Sequence, residues 1–411
     1  MTSRIPSAIT LTVFIAMAPP IAAETDGLLH RGDERLFPIG CYELPASDAN
    51  LEAMAGAGFN IVHCHSVEDL DRAAAAGLQG VVPLPLQNGA TPAFRERVAA
   101  LATHPALALW EGPDEVVWNF TAYSGLHRKL GIHKRPGAWW RQEPDAVAYA
   151  ENKAAEIIPN MREAAALIRE LDSARRPIWI NEAQRSDVFY CRQYMDFVDI
   201  TGCDVYPVSA NDRNLPRVGA ATERWKQIGR GKPVYMVLQA FSWDELGDYH
   251  GATETVYPTF DESRFMAYDV ILHGASGIMY WGSKYLTSDP FRQSLYALTS
   301  ELAALQPFLV APDMPGTSVT LIEMADEPGH VLSTVRRVDD EWLAVLVNED
   351  EQSHMGVVLH GLDALDGRKM HLLYGERTVQ IKHGELIARM QGRDVQLFAT
   401  SRTWESRRRN K

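Results

Sequence analysis

Short apolar runs alternate with amphipathic stretches from about residue 37 to residue 309. The apolar runs have the length of buried strands, and the stretches between them have helical spacing and are mostly rich in alanine. The predicted strands are 37–44, 59–65, 80–86, 106–111, 177–181, 198–205, 233–239 and 277–281. Near-continuous apolar strands that alternate with helices are typical of a parallel sheet covered by helices.

The number of strand and helix units predicts the class of α/β fold. Eight units over about 270 residues fit a TIM (β/α)8 barrel, for which about 250 residues is usual. The alternative is a doubly wound sheet, which would need a glycine-rich phosphate-binding turn after its first strand. Residues 40–43 have the sequence GCYE, so the barrel is favoured, and we assign it to residues 30–312.

The hydrophobic pattern changes after a cluster of helix-breaking residues at 311–316. Short runs with period-two alternation follow, and turn signals such as Asp366-Gly367 separate them. This pattern predicts a small antiparallel β-sandwich at 317–400 and a flexible, solvated tail at 401–411. Trp342, Tyr374 and Phe398 are spread along the chain, which favours a structural role for the sandwich over sugar binding.

The net charge and the N-terminal residues indicate which partners the protein can bind and where it is located. The 411 residues include 40 Lys and Arg against 53 Asp and Glu, a net charge of −13, which argues against nucleic-acid binding. Arg4 and the apolar run 8–18 predict a signal peptide at 1–23, with cleavage near Ala23. A membrane anchor is the alternative, but the run is shorter than the roughly 20 residues of a spanning helix. We therefore expect a secreted or periplasmic protein without membrane contact after cleavage.

In a (β/α)8 barrel the active site lies at the carboxyl ends of the strands. Carboxylates, amides and aromatic residues stand at these ends, and together they suit a polyhydroxylated ligand. The candidate substrate-binding residues are Glu43, His65, Trp118, Asn181, Asp204, Tyr206, Gln239 and Trp281, and the candidate catalytic residues are Asp114, Glu115 and Glu182. Their spacing predicts no metal site, and we expect no cofactor.

One segment relates the chain to a known group of enzymes. Residues 104–115, HPALALWEGPDE, resemble the fourth strand of the large clan of retaining (β/α)8 glycoside hydrolases that includes β-galactosidases and cellulases. The segments DVYP at 204–207, KP at 232–233 and GASGIMYWG at 274–282 support the resemblance, which covers about residues 37–310. It implies an exported glycosidase that cleaves an oligo- or polysaccharide, with Glu115 as the general acid/base.

Two positions depart from the pattern of that clan. Asp114 stands where the clan has an asparagine, and Gln239 lies near the place of the nucleophilic glutamate. The sequence leaves the second catalytic group open among Glu182, Asp204, Glu43, Asp244 and Glu245. The Asp114-Glu115 pair also resembles hexosaminidases that use the acetamido group of the substrate. A non-catalytic carbohydrate-binding barrel and a polysaccharide lyase are further alternatives.

Each candidate also has a purely structural interpretation. Glu115 could cap the next helix, Asp114 could orient a neighbour, and residues 183–185 after Glu182 could simply begin a helix. Tyr206 before a proline could fix a loop, and His63 and His65 could be buried core histidines.

The stretch 116–144 is longer than the loops that are typical of α/β units, which indicates a functional insertion. It contains aromatic and cationic residues, among them Lys129, Lys134, Arg135 and Trp139. We expect these four residues to lie near the barrel mouth, as a lid for an anionic sugar or as a solvated helical cap. The expected partner is thus a carbohydrate, and the sequence gives no oligomeric state.

Overall fold

The computed structural model describes residues 25–122, 137–246, 252–282, 288–322 and 329–406. The predicted signal peptide, the lysines and Arg135 of the predicted lid, and the end of the tail lie outside these ranges. Among the described helices, none combines the length and the hydropathy that crossing a bilayer requires.

Eight parallel strands close into a barrel, as predicted. A short hairpin precedes them, formed by β1 (Leu29–Arg31) and β2 (Glu34–Leu36). The barrel strands, in chain order, are β3 (Ile39–Cys41), β4 (Ile61–His63), β5 (Gln79–Pro83), β6 (Leu107–Glu111), β7 (Ile178–Ala183), β8 (Ile200–Val205), β9 (Val234–Gln239) and β10 (Gly277–Trp281). Pairing of β10 with β3 closes the ring, so the fold class is a TIM barrel.

Side chains from the strands fill the barrel interior. Trp179 and Tyr235 are buried there, with ring centroids 5.5 Å apart. Gly202 permits the close approach of two strands, because a Cβ at this position would lie 1.7 Å from the carbonyl oxygen of Tyr235. The hairpin β1–β2 packs at the amino ends of the strands, where the Tyr235 hydroxyl donates to the carbonyl of Gly27 at 2.6 Å. The interior is thus a packed core, and space for a ligand remains at the opposite end.

Helices surround the barrel and occupy the stretches between the strands, where the helical spacing predicts them. They are α1 (Asp48–Ala55), α2 (Val67–Ala75), α3 (Pro92–Leu101), α4 (Val116–Phe120), α5 (Pro144–Leu171), α6 (Val188–Cys191), α7 (Arg217–Ile228), α8 (Phe260–Leu272), α9 (Asp289–Ala304) and α10 (Gln306–Leu309). Side-chain oxygens of Ser47, Ser66, Thr91 and Thr259 cap the amino ends of α1, α2, α3 and α8. These caps satisfy backbone N–H groups that a helix leaves unpaired.

The residues after α10 form a β-sandwich, which confirms the predicted architecture. Its strands are β11 (Ser318–Leu321), β12 (Val331–Val338), β13 (Glu341–Asn348), β14 (His354–His360), β15 (Lys369–Leu372), β16 (Thr378–Gln380), β17 (Leu386–Met390) and β18 (Val395–Ala399). One sheet has the order β11-β14-β17 and the other β12-β13-β18-β15-β16. The pattern did not predict β16, which is three residues long, nor the hairpin β1–β2.

The larger sheet packs against the barrel helices. Leu343, Val345 and Leu397 belong to the same apolar cluster as the residues between the barrel and its helices. A buried ion pair within the barrel layer lies at this interface: Arg264 Nε is 2.7 Å from Glu301 Oε1, and Arg264 also donates to the carbonyl of Val395. Trp342 and Phe398 are buried inside the sandwich itself, so they present no exposed aromatic surface.

Candidate active site

A cavity of about 470 Å³ opens at the carboxyl ends of the barrel strands. This size is within the range of small-molecule sites, about 300–1,000 Å³. The lining combines carboxyl groups, an amide, two arginines and aromatic rings, including Tyr42, Asp114, Glu115, Trp118, Asn181, Arg185, Asp204, Tyr206, Arg217, Trp243 and Trp281. Seven of the predicted site residues are therefore brought together: Asp114, Glu115, Trp118, Asn181, Asp204, Tyr206 and Trp281.

The backbone holds Glu115 in an unusual conformation between β6 and α4. Its φ is 47°, in the left-handed region that residues other than glycine rarely adopt. The Glu115 N–H donates to the carbonyl of Asn181 at 3.0 Å, and the Asn119 amide donates to the Glu115 carbonyl. Glu115 occupies the N-cap position of α4, but its side chain makes no capping hydrogen bond. The carboxyl group is therefore not used to cap the helix, and it faces the cavity instead.

Glu115 and Asp204 form a pair of carboxyls. Asp204 lies close enough to Glu115 and to Tyr206 for hydrogen bonding to contribute to the pKa values of all three groups. Burial raises the pKa of Glu115, and the negative charge of Asp204 raises it further. Burial and the nearby Asp114 also raise the pKa of Asp204. Two carboxyls this close do not both ionise easily, so the pair binds a proton more tightly than either group would alone.

Asp114 lies beside this pair and is oriented by Asn181. The Asn181 side-chain amide donates to Asp114 Oδ1 at 2.8 Å. Burial, followed by the negative charge of Glu111, raises the pKa of Asp114 to about 6. Behind it, Glu111 accepts a hydrogen bond from the Tyr42 hydroxyl at 3.0 Å and lies 2.6 Å from His63 Nε2. These contacts fix the floor of the cavity.

Aromatic rings form the wall that faces Asp204. Tyr206 and Trp281 stack with centroids 5.4 Å apart at 26°, and Phe241 packs edge-on against both rings. Trp243 lies 6.1 Å from Tyr206. Such faces can stack on the C–H surface of a sugar ring, while the carboxyls and the amide bind its hydroxyl groups.

The structure places Glu182 outside the cavity, against the expected catalytic role. Successive strand residues point to opposite faces, so Asn181 and Ala183 line the cavity and Glu182 points away. Four donors bind the Glu182 carboxyl: the N–H groups of Val117 and Trp118, and the hydroxyls of Ser186 and Tyr194. Burial raises the pKa of Glu182 to about 7, although these donors oppose the shift. Glu182 anchors the amino end of α4, which positions Glu115.

Gln239, a predicted substrate contact, is also absent from the lining of the cavity. Its side chain is fully buried, accepts from the Val208 N–H at 2.9 Å and donates to the carbonyls of Val208 and Phe241. Gln239 therefore fastens the loop after β8 to the loop after β9. An amide suits this position because it can donate and accept at once.

Two other predicted contacts, Glu43 and His65, do not line the cavity. At β3 it is Tyr42, one residue earlier, that faces inward. In the predicted lid, Trp139 is buried against Tyr190, whereas Trp140 is 54% exposed and lies 6.0 Å from Trp118 at the mouth.

The sequence did not single out Tyr42, Arg185, Arg217 or Trp243 as cavity residues. The side-chain alternation along β7 could have indicated Ala183 and its neighbour Arg185, whereas the strand pattern does not place Arg217, the first residue of α7, or Trp243, which begins a short 3-10 helix after β9. The cavity carboxyls do not converge as metal ligands do, and within the described ranges a group with that geometry lies instead at the barrel–sandwich interface.

Comparisons with solved structures agree with the architecture. A family 5 glycoside hydrolase from Bacteroides vulgatus has a TM-score of 0.53 and 12% identity, over 93% of both chains. A β-galactosidase from Bacillus circulans sp. alkalophilus has a TM-score of 0.52 and 9% identity, over 89% of this chain and 99% of that one. A GH30 endoxylanase from Clostridium papyrosolvens has a TM-score of 0.51 and 11% identity, over 89% and 96%.

Identities this low show a shared fold of barrel and sandwich and leave the chemistry to the residues of this chain. No family model and no curated protein sequence matches the chain significantly.

Proposed function

We propose that the protein is an exported glycoside hydrolase in which Glu115 is the general acid/base and Asp204 is the catalytic nucleophile. The observation that supports this most strongly is the close pair of buried carboxyls, Glu115 and Asp204, in an aromatic-walled cavity. Two carboxyls, one protonated and one ionised, are the groups that most glycosidases use. Export rests on the predicted signal peptide at 1–23.

The reaction proceeds in two steps. In the first, the proton of Glu115 moves to the glycosidic oxygen while the bond from C1 to this oxygen breaks, and Asp204 attacks C1 to form a glycosyl ester. In the second, water attacks C1, Glu115 takes up the proton of the water, and Asp204 leaves as a carboxylate. The glycosidic oxygen replaces Asp204 as the hydrogen-bond acceptor of Glu115 when substrate binds. Catalytic hydrogen bonds commonly rearrange in this way on going from the free to the bound enzyme.

The contact between the two carboxyls favours retention of configuration. Inverting enzymes separate their carboxyls by about 6.5–9.5 Å to leave room for water, whereas retaining enzymes hold them about 5–5.5 Å apart. Glu115 and Asp204 lie within hydrogen-bonding reach of each other, which is closer than the inverting separation. Asp204 lies near the carboxyl end of the sixth barrel strand, β8, so this nucleophile would come from a different strand than the glutamate of the clan that the sequence resembles.

The first experiment is turnover of a panel of chromogenic glycosides and oligosaccharides by the wild type and by Glu115→Gln. We expect the variant to lose about 10²–10⁴-fold in kcat on unactivated glycosides, because the leaving oxygen is no longer protonated. Glu96→Gln, which changes an exposed carboxylate on α3, is the matched control and should keep full activity. Full activity of Glu115→Gln on an unactivated glycoside would refute the proposal.

A substrate-assisted reaction is the second candidate, and the position of Asp114 favours it. Asp114 directly precedes Glu115, and Asn181 orients its carboxyl toward the cavity. In this route Asp114 orients an acetamido group that attacks C1, so only 2-acetamido sugars are hydrolysed. Hydrolysis of glycosides with a free 2-hydroxyl would exclude it. Binding of a sugar without any turnover would instead support a non-catalytic carbohydrate-binding barrel. This alternative remains because Gln239, near the place of the clan's nucleophilic glutamate, binds a loop and carries no carboxylate.

An anionic sugar is the substrate class that the cavity rim favours. Arg185 and Arg217 line the cavity, although the chain has a net charge of −13. Arg217 binds Asp212 at 3.1 Å, whereas Arg185 has no carboxylate partner within the described parts of the chain. A uronate carboxylate could pair with Arg185 and leave the sugar ring on the aromatic wall.

A further inference from the structure

A second group of ionisable residues lies far along the chain from the cavity residues, at the interface of the barrel and the sandwich. Asp269 belongs to α8, and His273 caps the carboxyl end of the same helix one turn later. Glu349 follows β13 of the sandwich, and His330 precedes β12 beside it. The docking of the sandwich on α8 therefore brings Glu349 against two residues of the barrel.

The spacing of these side chains is that of metal ligands. His273 Nε2 lies 3.2 Å from Glu349 Oε1 and 3.7 Å from Asp269 Oδ1, and all three ligand atoms are within 4.8 Å of one another. Zinc binds histidine nitrogen and carboxylate oxygen at about 2.0–2.2 Å, which puts tetrahedral neighbours about 3.3 Å apart. The two separations from His273 Nε2 are close to this value and the third is at most 4.8 Å, so an ion could contact all three atoms after the side chains shift.

The buried oxygen of Asp269 points to the same conclusion. The Asp269 side chain is fully buried; its Oδ2 accepts from the Gly219 N–H at 2.9 Å, but its Oδ1 has no hydrogen-bond donor. A carboxylate oxygen that is buried without a donor is costly. The closest lysine contact, from Lys226 Nζ, goes to the carbonyl of His273 at 3.0 Å and not to a carboxylate. A cation among the three ligands would satisfy this oxygen and neutralise both carboxylates.

We propose that Asp269, His273 and Glu349 bind one divalent transition-metal ion, Zn²⁺ in the first place, and that this ion fastens the sandwich to the barrel. One imidazole with two carboxylates suits zinc better than calcium or magnesium, which prefer oxygen ligands alone. His330 Nδ1 is 2.7 Å from Glu349 Oε2 and orients this ligand from the second layer. The fourth position is left for water. This inference is independent of the proposed glycosidase activity and differs from the expectation of no metal.

The test is a titration of full-length protein that carries no histidine tag and has been stripped with EDTA and dialysed. Calorimetry with Zn²⁺ should give one equivalent, and Zn²⁺ should raise the midpoint of thermal unfolding, because it binds the folded state. Co²⁺ provides a spectroscopic reading, since cobalt with four or five ligands absorbs visible light more strongly than the aqueous ion. Addition of Zn²⁺ should remove this band.

His273→Asn and Glu349→Gln should each weaken Zn²⁺ binding by at least about tenfold and abolish the Co²⁺ band. His360→Asn is the matched control: His360 pairs with the single carboxylate of Glu385 at 3.2 Å in the sandwich, so its loss should leave the affinity unchanged.

Wild-type protein that takes up no stoichiometric Zn²⁺ would overturn the proposal, as would equal affinity in wild type and Glu349→Gln. If His273→Asn does not fold, the Co²⁺ spectrum of the wild type and the Glu349→Gln titration still decide. Stabilisation by acid without stabilisation by Zn²⁺ would also overturn the proposal, because protons and not a metal ion would then compensate the two carboxylates.

Discussion

Two buried carboxyl sites of this protein differ in how their charge is compensated. One is Glu301 at the barrel–sandwich interface, and the other is the Glu115–Asp204 pair at the barrel mouth. At the barrel–sandwich interface, Glu301 is bound by Arg264 at 2.7 Å and by the Tyr268 hydroxyl at 2.9 Å. At the barrel mouth, Glu115 and Asp204 lie beside each other and Tyr206, and the two arginines of the cavity lining form no ion pair with them in the described parts of the chain. The interface carboxylate is neutralised and stabilises the fold. Burial and mutual repulsion raise the pKa values of the carboxyls at the mouth, as the proposed role of Glu115 as a proton donor requires.

The largest expected effect concerns Asp204. We predict that Asp204→Asn loses about 10⁴-fold or more in kcat on both activated and unactivated glycosides, because no glycosyl ester forms. Glu115→Gln should spare the first step on activated leaving groups, which depart without protonation. The comparison of the two variants on a dinitrophenyl and an alkyl glycoside separates the two roles. Equal losses for the two variants on both substrates would contradict the assignment.

The next effect is on stability, at the interface. Arg264→Met leaves Glu301 buried without its cation and should lower the free energy of unfolding by about 3–5 kcal/mol. The double variant Arg264→Met/Glu301→Gln removes both charges and should recover a large part of this loss. Urea unfolding measures both, and kcat per folded molecule should stay at the wild-type value. A loss of kcat without a loss of stability would show that the contrast between the two groups is wrong.

Glu182 is buried near the mouth but is compensated by donors, so it should behave like the interface group. Glu182→Gln replaces one accepting oxygen by an amide NH2 group, which can only donate and would face N–H and O–H donors. The variant should therefore cost about 1–3 kcal/mol of stability. Because Glu182 anchors α4, we expect a smaller loss of kcat than in Asp204→Asn. Urea unfolding and turnover of the same preparation check this, and a kcat loss as large as that of Asp204→Asn would restore Glu182 as a catalytic candidate.

Asp114 should make the stability depend on pH. Its pKa is raised to about 6 in the folded protein, above the ordinary value of 3.8, so the folded state binds this proton more tightly than the unfolded state does. The contribution is complete below about pH 4 and is lost as the pH rises through 6. Asp114→Asn removes this pH-dependent contribution. In unfolding curves at pH 4, 5, 6 and 7, the free energy of unfolding of the variant should therefore rise relative to that of the wild type as the pH rises. A constant difference would contradict the raised pKa.

The smallest expected effect is at the rim. Arg185→Gln should raise KM for a uronate-containing substrate a few-fold and leave KM for a neutral one unchanged, because an exposed charge pair contributes about 0–1 kcal/mol. Added salt should raise KM of the wild type on the uronate and reduce the difference between the proteins. A salt-independent KM on the uronate would argue against pairing with Arg185.

The architecture was predictable because apolar runs indicate buried strands, and turn and helix-breaking residues indicate where they end. Both signals are local in the sequence and do not depend on tertiary contacts. The rule that sites follow strand ends also found Asp114, Glu115 and Asp204. The rule did not separate Glu182 from its neighbours, because successive strand residues face opposite ways. An error of one position therefore selects a side chain that points to the helix layer instead of the cavity. Counting alternate positions from Asn181 would have favoured Ala183 over Glu182.

Other features depend on tertiary contacts that one sequence does not reveal. Gln239 fastens two loops whose approach follows from barrel closure. Asp269 and His273 are one helical turn apart, which a sequence shows, but Glu349 reaches them only through the docking of the sandwich. The pairing of Glu115 with Asp204 likewise joins the ends of two strands that are not adjacent in the barrel.

The most direct test of the central claim is to trap the intermediate. The wild type is incubated with a panel of 2-deoxy-2-fluoroglycosyl fluorides, in which the fluorine at C2 slows both steps and the fluoride leaving group still permits the first. Intact mass spectrometry detects one added sugar, and peptide mass spectrometry locates it. The account predicts a single label on Asp204, which persists in Glu115→Gln and is absent from Asp204→Asn. A label on another carboxylate, or none from an enzyme that hydrolyses the corresponding glycosides, would contradict it.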